Sequence, residues 1–234
     1  MSTIADNIIN IKERIFNAAG GRKITLLAVT KTFSADCAKQ AIEAGIFDIA
    51  ESKIQEALPK FELLSDGLKG IKKHFIGHLQ SNKAKKAVLN FDLIQSLDSV
   101  DLANDIDRHA KDAGKIQNCL IELKVSSEES KFGVGEEKVL EIYNHCRLNC
   151  KNVSVNGIMT IAPFFEEKEK VRPYFKTAYK TFKNMQQING DENFKILSMG
   201  MSDDFEIAVQ EGANMVRVGT AIFGERNYDK QKVL

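Results

Sequence analysis

The sequence predicts an α/β protein, a single (β/α)8 TIM barrel preceded by one extra N-terminal helix. Three observations predict it. Eight apolar runs rich in β-branched residues recur along the chain, segments of helical period separate them, and the 234 residues fit one compact barrel domain spanning 1–234. Strict alternation of strand and helix implies parallel strands joined by right-handed crossovers. A doubly wound open sheet would more often hold roughly five or six strands.

In chain order, Thr3 to Ala18 reads as a helix placed to pack across the barrel bottom or to flank the rim. The apolar runs follow: LLAVTK from Leu26, IFDIA from Ile46, KHFIGHL from Lys73, FDLIQSL from Phe91, QNCLIELKV from Gln117, VSVNGIMTI from Val153, FKILSMG from Phe194 and ANMVRVG from Ala213. The segments SADCAKQAIEAG, SVDLANDIDRHAKDAG and GEEKVLEIYNHCRLN each have the length of one crossover helix, and they stop at Gly45, Gly114 and Asn149 as helices do. Only 3 prolines occur, and no linker rich in Pro, Gly or Ser divides the chain.

Composition narrows the function. Lys+Arg 33 against Asp+Glu 32 gives a formal charge of +1, without the basic excess that binding to a phosphate backbone needs, so nucleic acid is not expected as a partner. No stretch approaches the roughly 18 to 20 apolar residues of a membrane span, and the N-terminus lacks a signal-type apolar core; a soluble, cytoplasmic protein is expected. The cysteines, Cys37, Cys119, Cys146 and Cys150, form no CxxC pair. Cys146 and Cys150 lie four apart, on one face of a helix, and read as reduced core thiols rather than metal ligands.

In a barrel the reactive residues gather at the C-terminal ends of the strands. Lys31 ends the first run. A lysine emerging there from an apolar strand is desolvated, which favours the neutral, nucleophilic amine; a lysine that merely snorkels to solvent is the plainer reading. The seventh run ends in LSMGMSDD, which is expected to open a helix at Ser202, and the eighth in VRVGTAIFG, with Gly219 and Thr220 before another short helix. Loops after strands seven and eight commonly make the phosphate site of such barrels, so Ser202, Gly219 and Thr220 are read as one anion cradle. Arg217 shares a strand face with Gly219 and points into the barrel or its mouth, where either a cofactor group or an internal carboxylate would partner it. HFIGHLQSNK, His74 to Lys83, is dense enough in polar groups for a site wall. His74 and His78 would share a strand face but stand too far apart to chelate one ion, so no metal is expected. KVSSEESKFGVG reads as a polar, solvated loop.

These blocks, with the AVTK that ends at Lys31, resemble in order and over nearly the whole chain the pyridoxal phosphate homeostasis family, the YggS and proline-synthetase co-transcribed type. The resemblance implies a fold-type III barrel like that of alanine racemase, without the racemase's second, β-rich domain. It implies pyridoxal 5'-phosphate, a vitamin B6 cofactor, held as a Schiff base on Lys31. Phosphate contacts fall on Ser202, Gly219 and Thr220, the ring-nitrogen contact on Arg217, and weaker claims to the same mouth on His78, Asn82 and Met159. Two positions depart from the family pattern: Ser52 stands in AESKIQE where the family has asparagine, which puts that amide's contact in doubt, and Lys73 replaces a common tryptophan.

An arginine facing the pyridine nitrogen disfavours its protonation and weakens the ring as an electron sink, and a chain running to Leu234 is expected to lack the racemase's second acid/base domain. The expected role is therefore carriage and buffering of the cofactor, with transfer to apo-enzymes, by a monomer that has no catalytic residues of its own. A slow amino-acid racemase and a colourless phosphate-sugar aldolase-type barrel are the rivals.

Overall fold

The structure is a computed structural model that describes residues 2–126 and 132–225. Eight parallel strands close into a barrel in sequence order: β1 (Thr25–Val29), β2 (Asp48–Glu51), β3 (Lys72–Phe75), β4 (Leu93–Leu97), β5 (Gln117–Leu123), β6 (Val153–Thr160), β7 (Ile196–Ser198) and β8 (Met215–Val218). β8 pairs with β1, Leu27 opposite Arg217 and Ala28 opposite Val218, so no strand edge is left open. The eight apolar runs of the sequence supply these eight strands.

Helices alternate with the strands: α1 (Ile4–Ala19), α2 (Ala35–Glu43), α3 (Ile54–Leu64), α4 (Ala84–Asn90), α5 (Val100–Asp112), α6 (Glu136–Asn149), α7 (Arg172–Asn189), α8 (Phe205–Gln210) and α9 (Thr220–Phe223). Serine hydroxyls at Ser34 and Ser99 cap α2 and α5 by accepting from the N–H groups of Cys37 and Leu102. α1 starts on a capping box, in which the Thr3 side chain accepts from the Asp6 N–H and the Asp6 carboxylate accepts from the Thr3 N–H. Its apolar stripe of Ile8, Ile11, Ile15 and Ala19 is buried against α2, α8 and α9. The extra helix thus stands in the outer ring of helices. A bidentate pair from Arg14 to Glu206, at 3.0 and 2.8 Å, fastens it to α8.

Two cores result. One lies between the barrel wall and the helices. The other fills the barrel itself, where Leu27, Val29, Ala50, Leu93, Leu120, Met159 and Met215 meet.

Two boundaries depart furthest from the sequence expectation. β3 stops at Phe75 instead of running on to Leu79. At Gly77 the chain crosses so close to β2 that a Cβ would sit 2.1 Å from the Ser52 carbonyl oxygen, so the backbone leaves the sheet direction there. α8 begins at Phe205 rather than at Ser202. The Asp204 carboxylate accepts from the Met201 N–H at 2.6 Å and holds Met201–Asp204 as a turn ahead of the helix.

Candidate functional site at the barrel mouth

β7, β8 and β1 are neighbours, and their C-terminal ends carry Ser202, Arg217, Gly219 and Lys31 to one side of the mouth. Alternation along β1 sends Leu27 and Val29 into the barrel core, and Lys31 comes two residues further on the same face. The turn that presents Lys31 is under tension. Thr32 adopts φ 70, a left-handed conformation that costs a β-branched residue about 1 to 2 kcal/mol. Glu56 on α3 holds the turn by accepting from the Thr32 N–H.

Behind it lies a buried ion cluster. The Lys60 ammonium of α3 bonds to the Glu51 carboxylate at 2.5 Å and to the Thr30 carbonyl at 2.6 Å, while the Thr30 hydroxyl donates to the same carboxylate at 2.7 Å. Glu51 is fully buried and Lys60 is 6% exposed. Burial pushes the Glu51 carboxyl above the usual carboxylate range, against the opposing pull of Lys60. The cluster ties the ends of β1 and β2 to α3 on the outside of the barrel and so fixes the base of the Lys31 turn.

Inside the barrel, Arg217 is 3% exposed. Its guanidinium donates to the Ser198 hydroxyl at 2.8 Å and to the Thr160 carbonyl at 2.7 Å. Burial lowers its pKa to about 10, with Asp204 and Glu122 opposing the fall, so the group stays a cation at neutral pH. Of the two partners foreseen for Arg217, an internal ion pair is not formed among the described residues; neutral oxygens position the cation. A polar chain continues from it through the barrel. Ser198 donates to Gln95 at 2.7 Å, the Gln95 amide meets His74 Nδ1 at 3.0 Å, and His74 Nε2 meets Asp48 at 3.0 Å. Near Arg217, burial drives the Glu122 carboxyl up to about 7, helped by Asp98 and opposed by Arg217.

Ser202 does not cap a helix. Its Oγ accepts the N–H groups of Gly219 at 3.3 Å and Ala221 at 3.2 Å. Two amide donors of the β8–α9 corner thus converge on a single oxygen, the arrangement that a phosphate oxygen would exploit. Thr220 is solvent-exposed beside them.

The remaining expectations divide. His78 lies beyond β3, not on a strand face with His74; it pairs with Asp98 at 3.4 Å and stacks on Phe132, ring centroids 4.0 Å apart. Asn82 sits exposed in the turn before α4. Met159 is fully enclosed in the inner core, because alternation on β6 turns it inward, and it lends the mouth no surface. Ser127 to Lys131 of the SEESKFG loop, and the residues after Glu225, lie outside the described residues. Lys73, in place of the aromatic residue common at its position, lays its amine over the Phe61 ring at 5.6 Å.

Glu51, Lys60, Gln95, Ser198 and Glu122 were not singled out from the sequence. For Gln95, Ser198 and Glu122 a signal existed, since a polar residue in the middle of an apolar β run is either an error of assignment or an inward-facing group.

The mouth fits pyridoxal 5'-phosphate. A buried cation faces inward for the ring side, two amide donors converge on the Ser202 hydroxyl at the β8–α9 corner where a phosphate oxygen would sit, and a lysine ends the adjoining strand β1.

The model of the alanine racemase N-terminal domain matches residues 1–227. A pyridoxal phosphate homeostasis protein of Aquifex aeolicus is 38% identical over 230 residues, covering 95% of this chain and 98% of its own. The structure of PipY from Synechococcus elongatus PCC7942, solved with PLP bound, superposes with a TM-score of 0.85 at 32% identity and covers 95% of this chain and 100% of that one. An alanine racemase of Clostridium difficile 630 shares the fold at 18% identity and a TM-score of 0.68, over 96% of this chain and 58% of the racemase.

Proposed function

This chain belongs to the pyridoxal phosphate homeostasis protein family, and from that membership we propose that it binds pyridoxal 5'-phosphate at the barrel mouth and carries and buffers it within the cell. When bound, the cofactor supplies an aldehyde that reacts with amines. Lys31 is the covalent tether, Ser202, Gly219 and Thr220 take the phosphate, and Arg217 faces the ring nitrogen. His78 closes the outer wall with Phe132, Asn82 is a weaker contact, and Met159 supports the floor.

The observation that carries the reading is Arg217 itself. A guanidinium held by two neutral oxygens stays charged at neutral pH and cannot accept a proton. Beside a pyridine nitrogen it leaves that nitrogen unprotonated and the ring a poor electron sink. That favours storage and release over carbanion chemistry, and the chain acts without catalytic residues of its own. Apo-enzymes that depend on the cofactor are the recipients, and the protein works as a cytoplasmic monomer in one domain.

The test is transfer. Loaded protein is mixed with a pyridoxal-phosphate-dependent apo-enzyme while a phosphatase destroys free cofactor. Recovery of the recipient's activity in excess of an equal amount of free cofactor is expected, with no interconversion of alanine enantiomers by the loaded protein alone. Racemisation that is abolished by Lys31→Ala would contradict the carrier reading and favour an enzyme.

A further inference from the structure

The opposite, N-terminal end of the barrel is open. A cleft of ≈ 1060 Å³ is ringed there by residues that begin the strands, among them Asp48, Lys72, Asn118 and Lys195. In barrels of this type that end ordinarily serves stability. Here its charge is unbalanced. Among the described residues, Lys23, Lys72 and Lys195 are exposed and none has an ion-pair partner. The carboxylates of the rim are already engaged, Asp48 with His74 at 3.0 Å and Asp92 with the Lys73 N–H at 2.8 Å. Two walls are apolar, since Phe16 on α1 and Phe47 at the entry to β2 are 74% and 67% exposed and both line the cleft. Asn156, also in the lining, has its Oδ1 buried without a hydrogen-bond partner. Three free amines suit a dianion, and the phenylalanines suit a compact apolar body attached to it.

Asp48 and His74 belong both to this cleft and to the buried chain that ends on Arg217. A charge placed near Asp48 therefore acts on one end of a continuous row of hydrogen bonds, in surroundings of low dielectric where such rows polarise along their length.

We propose that the cleft is a second ligand site, for a small phosphate monoester with an apolar body, and that its occupancy is transmitted along Asp48, His74, Gln95 and Ser198 to Arg217. Binding is independent of the cofactor reading given above; the significance of the coupling rests on it.

The experiment is a titration of the isotopically labelled full chain with phenyl phosphate and with inorganic phosphate, followed by NMR, with and without pyridoxal phosphate loaded. Saturable shifts of the amides of Thr25, Asp48, Lys72 and Lys195 are expected in both forms, with phenyl phosphate binding at least about fivefold more tightly than inorganic phosphate. The surface variant Lys72→Ser/Lys195→Ser should weaken phenyl phosphate by about tenfold or more. The Arg217 guanidinium signals should move with the same saturation curve as the cleft amides. Shifts confined to Ser202, Gly219 and Ala221, or none up to about 10 mM, would overturn the site, even if the cofactor binds as proposed. Saturation of the cleft with Arg217 signals unmoved would overturn the coupling. Equal affinity for the two probes would overturn the monoester assignment in favour of free phosphate.

Discussion

At Glu122, burial raises the carboxyl from an ordinary 4.5 to about 7, so the folded protein holds this proton more tightly than the unfolded chain does. The unfolded state then loses its proton first as pH rises, and stability falls between about pH 4.5 and pH 7, by roughly 3 kcal/mol at the most, and is flat above from this group. Glu122→Gln should remove that slope in urea titrations taken across the range while leaving the low-pH stability nearly unchanged. Gly77 sets a different constraint. Gly77→Ala forces a Cβ into the Ser52 carbonyl at 2.1 Å and should cost at least about 2 kcal/mol, read as a fall in the urea midpoint. Single residues were legible where the fold gives a strand end a defined role. Lys31, Arg217 and Gly219 could be placed by counting along their runs, because alternation dictates which face each side chain takes. Ser202 was found for its position, although the cap expected of it is absent and its hydroxyl instead accepts from the β8–α9 corner. Glu122 and Gln95 were not found, because what makes them matter is the neighbours that closure brings from distant strands, and no local pattern encodes those.

At the scale of elements, α3 does more than cover the sheet. Its Lys60 bonds both Thr30 and Glu51, so one helix position holds two strand ends and the turn bearing Lys31. Lys60→Met leaves the Glu51 carboxylate buried without its cation and should destabilise the fold by about 3 kcal/mol, while Glu51→Gln/Lys60→Met should recover part of that loss. Chemical denaturation of the three proteins measures the difference. α1 depends on its cap, and Thr3→Ala should cost about 1 kcal/mol by the same assay. Helix limits were readable from caps and stops: Ser34 and Ser99 begin α2 and α5, and Gly45 and Gly114 follow their ends. The true ends of β3 and the start of α8 were not readable. A contact between Gly77 and the Ser52 backbone fixes the first, and a side-chain turn at Asp204 fixes the second. Neither belongs to hydropathy or period.

Across the whole molecule, strict β–α alternation was enough to give the closed barrel, since parallel strands with right-handed crossovers leave few other topologies once there are eight of them. Closure then decides function. It brings β1 beside β8, sets Lys31 across from the Gly219 corner and threads a polar chain from one mouth of the barrel to the other. The proposed carrier role stands or falls with a covalent bond between pyridoxal phosphate and Lys31. Borohydride reduction of the loaded protein, followed by peptide mass mapping, tests it most directly. One stoichiometric adduct is expected on the peptide that contains Lys31, lost in Lys31→Ala; an adduct on another lysine, or full adduct yield in Lys31→Ala, would overturn the assignment of the tether.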